Sequence, residues 1–353
     1  MECMDILIVN LEKGWRGGER QTFSTAAHLH QSGHRVTLLV REGGPLHERA
    51  REAGITVAGV KANAGLAMYL LRHGRRFDIV HAQTAGSLSI ISLLKNVCGY
   101  RVVFTRRTDF SSSSNTQAKW NKVDAFVAVS DAAAELPRSM GNEVTVIPSA
   151  MEYVPANVDH ITQFAEEYEL SGKYVIATCA AFSPEKDPLT CVRAVHALWQ
   201  KRQDFVFLHF GSEGTALAET QALIHELGLE QVYRIVGFKR NIEDMYRLMH
   251  IFVLSSTSEG IGSSVLEAFL YGATVVSTKV GGVPGLIGED RGILCDIGDY
   301  QQIAEACDQL LENESLRLAY AAKAEQLVVE EYNVPLMVER YVALYQATLG
   351  QPN

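Results

Sequence analysis

Short runs of Val, Ile and Leu, each about the length of one strand, alternate with stretches of helical pattern along nearly the whole chain. Runs that are apolar throughout, rather than apolar at every second residue, suit strands buried on both faces, as in parallel sheets covered by helices. The first series reads DILIVN (5–10), a helix over 19–32, RVTLLV (35–40), a helix over 45–53, ITVAGV (55–60), a helix over 66–73, DIVHA (78–82), a helix over 86–98, RVVFT (101–105), AFVAVS (125–130), a helix over 132–140 and VTVIP (144–148). A pause over 151–173 holds Pro155 and a charged helix at 159–168. The series restarts with YVIATCAA (174–181), a helix over 188–200, FVFLHFG (205–211), a helix over 216–227, VYRIVG (232–237), a helix over 242–249, IFVLSS (251–256), TVVST (274–278), GILC (292–295) and helices over 301–313 and 336–349. At 353 residues the chain exceeds one ordinary core. Two doubly wound α/β halves follow, with right-handed crossovers and strand-end loops expected to face one another across a cleft.

Composition excludes several classes. With 47% hydrophobic and 21% charged residues the chain is of the soluble globular type, and no apolar run approaches the ~20 residues of a membrane span. The start lacks the basic region of a secretory signal, and the six cysteines show no metal spacing, so reduced cysteines in a cytoplasmic protein are expected. Residues 1–150 hold 18 Lys and Arg against 13 Asp and Glu, while the remainder holds 14 against 28. A basic first half on an acidic second half points to an anionic partner met by the first half. No nucleic-acid partner is expected.

The loops at strand ends carry the candidate chemistry. The stretch 258–272, SEGIGSSVLEAFLYG, places Glu259 and Glu267 eight positions apart around Gly260, Gly262, Ser263 and Ser264. Ser264 with Glu267 three residues on matches a capping box, and Gly272 a helix stop. The glycines allow close backbone approach to a ligand, and the helix start favours an anion. Lys186 lies between a strand and a helix, where cation and helix dipole could act together on a phosphate, or where it could pair with Glu185 or Asp187. Gly237 ends another strand. In the first half, Arg16, Gly17 and Gly18 follow the first strand, as a ligand loop or a tight strand–helix turn. Arg106 and Arg107 follow the RVVFT strand, suited to phosphate or carboxylate, or to an ion pair with Asp109 or Asp124. His81, inside a strand, reads as a hydrogen-bonded core residue.

Taken in this order, these pieces resemble the GT-B-fold retaining glycosyltransferases of family 4. The matching stretches are Gly17-Gly18-Glu19, SGHRVTLLV (32–40), DIVHA, FVAVS, VIPSAME, SPEKDP and, above all, EGIGSSVLEA followed by GATVVSTKVGGVP. The resemblance implies two Rossmann-like domains: 1–155 for the acceptor, 156–335 for the nucleotide-sugar, and a C-terminal helix over 336–353 packing back on the first. It implies that Glu267 meets the donor ribose and Glu259 the donor sugar, with backbone amides around Gly262, Ser263 and Ser264 holding sugar and diphosphate. Lys186 would neutralise the leaving diphosphate, and Gly17 and Gly18 would let the first domain close over the phosphates. The family uses no metal and no cofactor.

Four positions depart from the family pattern: Ala181 for an arginine, Arg106 for a histidine, Ser149-Ala150 for Asn-Gly, and Gly285 for a glutamate. Arg106 or Arg107, with Arg16, is expected to replace the charge missing at Ala181, with Asp109 beside them in acceptor or phosphate binding. The expected donor is UDP-N-acetylglucosamine or another UDP-hexose, with GDP- and ADP-sugars left open. The expected acceptor is an anionic glycolipid or glycan, since 10–21 and 106–109 look most like enzymes of lipopolysaccharide core synthesis. The run LAMYLLRHGRR (66–76) reads as a contact with the inner membrane face or as an ordinary surface helix. A sugar-nucleotide epimerase, using Asp109 and His81, and a non-catalytic partner subunit are the competing readings.

Overall fold

The computed structural model describes residues 3–108 and 114–351. They form two compact units, one holding the residues up to Ala150 together with those from Tyr332 onward, the other Met151–Glu331. In the first unit, strands β1 Asp5–Asn10, β2 Arg35–Arg41, β3 Thr56–Val60, β4 Ile79–Ala82, β5 Arg101–Arg106, β6 Ala125–Ala128 and β7 Val144–Val146 alternate with helices α1 Gly17–Gln31, α2 Pro45–Glu52, α3 Asn63–His73, α4 Ala85–Cys98, α5 Ser114–Trp120 and α6 Asp131–Ser139. The strands form one parallel sheet in the order β3-β2-β1-β4-β5-β6-β7. Its register explains the unbroken apolar runs. Ile6 and Ile8 of β1 enter one core layer and Leu7 and Val9 the layer on the opposite face, all four fully buried.

The second unit repeats the plan. Helix α7 (Val158–Glu167) precedes strands β8 Tyr174–Cys179, β9 Phe205–Phe210, β10 Tyr233–Gly237, β11 Ile251–Leu254, β12 Thr274–Thr278 and β13 Gly292–Cys295. Helices α8 Pro188–Trp199, α9 Leu217–Glu226, α10 Ile242–Tyr246, α11 Ser263–Leu270 and α12 Val283–Ile287 connect them, and α13 Tyr300–Glu312 and α14 Glu314–Glu331 follow. The parallel order β10-β9-β8-β11-β12-β13 reverses direction between β8 and β11. No amphipathic stripe marks α14 in the sequence. Its buried face is Arg317, Ala321, Ala324 and Val328, of which only Val328 is a sizeable apolar residue.

The last helix, α15 (Val334–Leu349), belongs to the first unit. Asn333 caps it by accepting from the Leu336 N–H at 2.9 Å. Val334, Met337, Val338, Tyr341, Val342 and Tyr345 recur at helical spacing and are buried in the layer that holds Ile6 and Ile8. Among the described residues no helix is long and apolar enough to cross a membrane.

Candidate active site

Ligands of doubly wound sheets lie beyond the carboxyl ends of the strands, at the point where the strand order reverses. In the second unit that point lies between β8 and β11, and the loops leaving these two strands are joined there. Lys186 Nζ meets Glu259 Oε1 at 2.6 Å, the two side chains 26% and 11% exposed. The Ser256 hydroxyl donates to the same oxygen at 2.8 Å. The Thr257 N–H donates to the Glu185 carbonyl at 2.9 Å, and the buried Ser255 hydroxyl lies 2.9 Å from the carbonyl oxygens of both Lys186 and Asp187. Neither Glu185 nor Asp187 is the partner of Lys186. Asp187, at φ 43°, instead caps α8, accepting from the Thr190 N–H at 3.2 Å and the Thr190 hydroxyl at 2.6 Å. A carboxylate already occupies that helix start, so the expected joint action of Lys186 and the α8 dipole on a phosphate does not hold.

Beside the pair, Gly262 enters α11 at φ 78°, a left-handed conformation, and a Cβ there would stand 2.9 Å from Val283 Cγ2. The Gly282 N–H donates to the Gly260 carbonyl at 3.0 Å, which joins the two blocks EGIGSSVLEA and GATVVSTKVGGVP. The Val265 and Leu266 N–H groups donate to the Gly262 carbonyl, and among the described residues those of Ser263 and Ser264 have no partner. An eight-residue helix thus opens with two free donors next to a lysine, a site fit for an anion. The capping-box expectation is corrected: Gly262 is the cap, α11 starts at Ser263, and Glu267 lies in the second turn, where it accepts from the Tyr246 hydroxyl at 3.2 Å. Gly237, at φ 81°, ends β10, two strands from β8, and its carbonyl accepts from the Gly211 N–H at 3.1 Å.

In the first unit the reversal lies between β1 and β4. Gly17 and Gly18 open α1, and the Arg16 N–H donates to Glu19 at 2.8 Å while the Arg16 side chain is exposed. Arg106, expected among the catalytic groups, is 4% exposed. Its Nη1 donates to the Ala133 carbonyl at 2.7 Å and its guanidinium lies 5.3 Å from the centre of the Trp120 ring. These contacts tie its charge to the interior of the unit, and the open strand-end position expected of it is corrected. Arg107 is the half-buried member of the pair. It lies 3.7 Å from where a Cβ on Gly18 would stand, and its Nε donates to Gln83 Oε1 at 3.2 Å, a bond that Nη2 repeats. Asp124 pairs with Lys95 and Arg101 instead of either arginine. Asp109 lies outside the described residues.

His81 is fully buried, with Nδ1 2.7 Å from the Tyr345 hydroxyl and Nε2 2.7 Å from the Thr105 hydroxyl. Burial first, and the Arg107 charge second, bring its pKa down to about 3. A neutral, enclosed imidazole with both nitrogens engaged is the core residue expected, and no acid or base for epimerisation. Sequence reasoning missed Ser256, Tyr246 and Gln83, which touch the candidate residues; only Ser256, at the end of an apolar run, carried any local signal.

Comparison with known proteins agrees with this architecture. The model of Glycosyltransferase Family 4 matches residues 15–152, and that of Glycosyl transferases group 1 matches residues 160–327. The chain is a glycosyltransferase built of these two domains. It is 24% identical over 288 residues to N-acetyl-alpha-D-glucosaminyl L-malate synthase of Bacillus anthracis, which covers 77% of this chain and 75% of that protein. It is 26% identical over 171 residues to the lipopolysaccharide core biosynthesis glycosyltransferase LpsE of Rhizobium meliloti, 48% of this chain and 49% of that one. The crystal structure of HepE from Anabaena in complex with UDP and glucose superposes with a TM-score of 0.88 at 18% identity, covering 98% of this glycosyltransferase and all of HepE. Sucrose-phosphate synthase of Thermosynechococcus elongatus superposes with a TM-score of 0.79 at 16% identity, over 98% of both chains. Both are structures of the GT-B fold, two Rossmann-like domains with parallel sheets.

Proposed function

We propose that this enzyme transfers a hexosyl or N-acetylhexosaminyl group from a UDP-sugar, UDP-N-acetylglucosamine first among them, to an anionic glycolipid or glycan of the lipopolysaccharide-core kind, with retention of anomeric configuration. The Lys186–Glu259 pair at the strand reversal of the second unit, beside the open start of α11, carries this reading. Lys186 and the N–H groups of Ser263 and Ser264 oppose the charge that grows on the diphosphate as the bond from the anomeric carbon to phosphate oxygen breaks. The acceptor hydroxyl forms the new carbon–oxygen bond on the same face, and its proton passes to the departing phosphate oxygen. Glu259 holds the donor sugar near the reacting ring. Glu267, oriented by Tyr246, accepts from the ribose hydroxyls. In the first unit, Arg107 takes an oxyanion. No metal and no cofactor enters this scheme.

Support for the donor comes from HepE, whose structures hold UDP and UDP-glucose, and for the acceptor class from the name of LpsE. A surface of the first unit supports a lipid-borne acceptor at the inner membrane face. Met68 and Leu71 of α3 and Leu93 and Val97 of α4 are 68%, 61%, 76% and 57% exposed, and Arg72, Arg75 and Arg76 are exposed close by in sequence. An apolar stripe bordered by cations suits an anionic lipid surface. The test is a panel of UDP-, GDP- and ADP-sugars offered with truncated lipopolysaccharide acceptors in vesicles, read by product mass and anomeric configuration. Turnover of a UDP-sugar to a glycosylated acceptor of retained configuration is expected. Turnover only with another nucleotide, or an inverted product, would sink the reading.

A further inference from the structure

Arg107 is held in an unusual way. Its Nε and Nη2 both donate to one atom, Gln83 Oε1, so the guanidinium is fixed in plane along one edge. Gln83 is itself 3% exposed, and its Nε2 lies 3.3 and 3.1 Å from Nδ1 and Nε2 of His81. His81 is anchored in turn by Thr105 of β5 and by Tyr345 of α15, while Tyr341 of α15 lies 3.4 Å from Thr105 Oγ1. A buried chain of polar contacts, with the Gln83 amide set against the His81 ring, therefore runs from the last helix, beneath the ends of β4 and β5, to one arginine. At the far end of that chain the Arg107 Nη1 has no partner among the described residues. Arg107 follows β5, beside β4, the strand at the reversal of the sheet, where the crevice of a doubly wound domain receives its ligand.

We infer that Gln83 is a positioning residue that clamps Arg107 so that its Nη1 edge meets an oxyanion of a substrate, with His81 and Tyr345 fixing Gln83 in turn. The inference rests on the reading of Arg107 as an oxyanion group and names what aims it. A neutral His81 is required by the arrangement, because a charged ring would repel the guanidinium and the Gln83 amide N–H alike. The shared ligand chemistry is a phosphate oxygen, from the donor diphosphate or from a phosphorylated acceptor.

The test is calorimetry of the full-length protein with inorganic phosphate and, separately, with UDP, at constant ionic strength, on wild type, Arg107→Ala, Gln83→Ala, Gln83→Glu and the double variant Gln83→Ala/Arg107→Ala. Expected are the loss of one of two phosphate-binding events in Arg107→Ala, that at Lys186 and the α11 amides remaining, about tenfold weaker binding of the lost one in Gln83→Ala, and no further loss in the double variant, because removing the clamp has no effect once its arginine is gone. Gln83→Glu keeps an oxygen for the clamp yet neutralises the arginine. It should fold, retain the slowly exchanging Arg107 Nε–H signal in nitrogen-15 spectra, and bind phosphate as weakly as Arg107→Ala. A parallel loss of UDP affinity assigns the oxyanion to the donor, and an unchanged UDP affinity assigns it to the acceptor. Gln83→Ala binding phosphate like wild type, or a loss that adds fully to that of Arg107→Ala, overturns the positioning role while leaving Arg107 as an oxyanion group. Arg107→Ala binding phosphate like wild type overturns both, and leaves the sugar-transfer reading to its own assay.

Discussion

Lys186 and Glu259 stand 73 positions apart and close to a salt bridge at 2.6 Å. Each is the other's counter-ion, so neither charge is left bare at low exposure. A diphosphate arriving between Lys186 and the α11 amides would compete for the lysine and leave Ser256 to hold Glu259. Lys186→Ala should therefore lower kcat/KM for the donor by about 100- to 1000-fold, the scale of losing one preorganised charge-stabilising group. A steady-state assay against the best UDP-sugar of the panel checks it, and a loss under fivefold would remove Lys186 from the chemistry. His81 gives a second prediction at this scale. Its folded pKa of about 3 lies below the ordinary 6.5, so the unfolded chain gains a proton as pH falls through 6.5 and the folded chain does not. The stability that His81 supports is present above that range and is lost toward acid. Between pH 7 and pH 5 this one group should lower the stability of the first unit by about 2 kcal/mol. Urea unfolding of wild type and His81→Gln at both pH values checks it, the variant showing a pH difference smaller by that amount.

At the scale of elements, α11 shows how two glycines of nearly equal backbone angle do different work. Gly262 and Gly272 both have φ 78°. Gly272 closes the helix, its N–H donating to Phe269 and that of Ala273 to Ala268, and a Cβ there would meet open space. Gly272→Ala should cost about 1 kcal/mol for the left-handed conformation, a fall of a few degrees in Tm, with UDP affinity unchanged. Gly262→Ala carries the same cost and adds a clash with Val283 beside the open amides, so UDP affinity should fall about tenfold or more as well. Differential scanning and calorimetry on the two variants separate them; equal UDP affinities would deny the α11 start its role. The helix stop at Gly272 was legible because it depends on one residue and its neighbours. The start was misread because Ser264 and Glu267 have the spacing of a capping box, whereas Gly262 begins the helix earlier and Glu267 turns to Tyr246 of α10. Helix α14 escaped notice for the converse reason, since alanines on a buried face look the same in sequence as alanines on a surface.

For the whole molecule, the chain returns to its first unit only at the end. Six large side chains of α15 are buried in the core of that unit, each contributing about 1.5–3 kcal/mol. Their sum is comparable with the full stability of a typical domain. A chain ending at Glu331 should thus lose the first unit's cooperative unfolding transition while keeping that of Met151–Glu331. Calorimetric scans of the two lengths check it; two intact transitions in the shorter chain would show that α15 is dispensable. The sequence by itself determined the two α/β halves, the strands, most helices and the loops that hold Lys186, Glu259 and Gly262, because period, glycine and strand-end position are local properties. It also made the family resemblance legible, through stretches that lie together in the chain. Only the tertiary structure decided which side chains meet. Lys186 reaches Glu259 because β8 and β11 are neighbours in the sheet, and His81 reaches Tyr345, 264 positions on, because α15 crosses back. Arg106 and Arg107 are adjacent and chemically identical in sequence; the packing of Trp120 and Ala133 around one and the clamp of Gln83 on the other set their separate roles. Strand order and helix packing are non-local, and a charge at a strand end does not reveal which neighbours will enclose it.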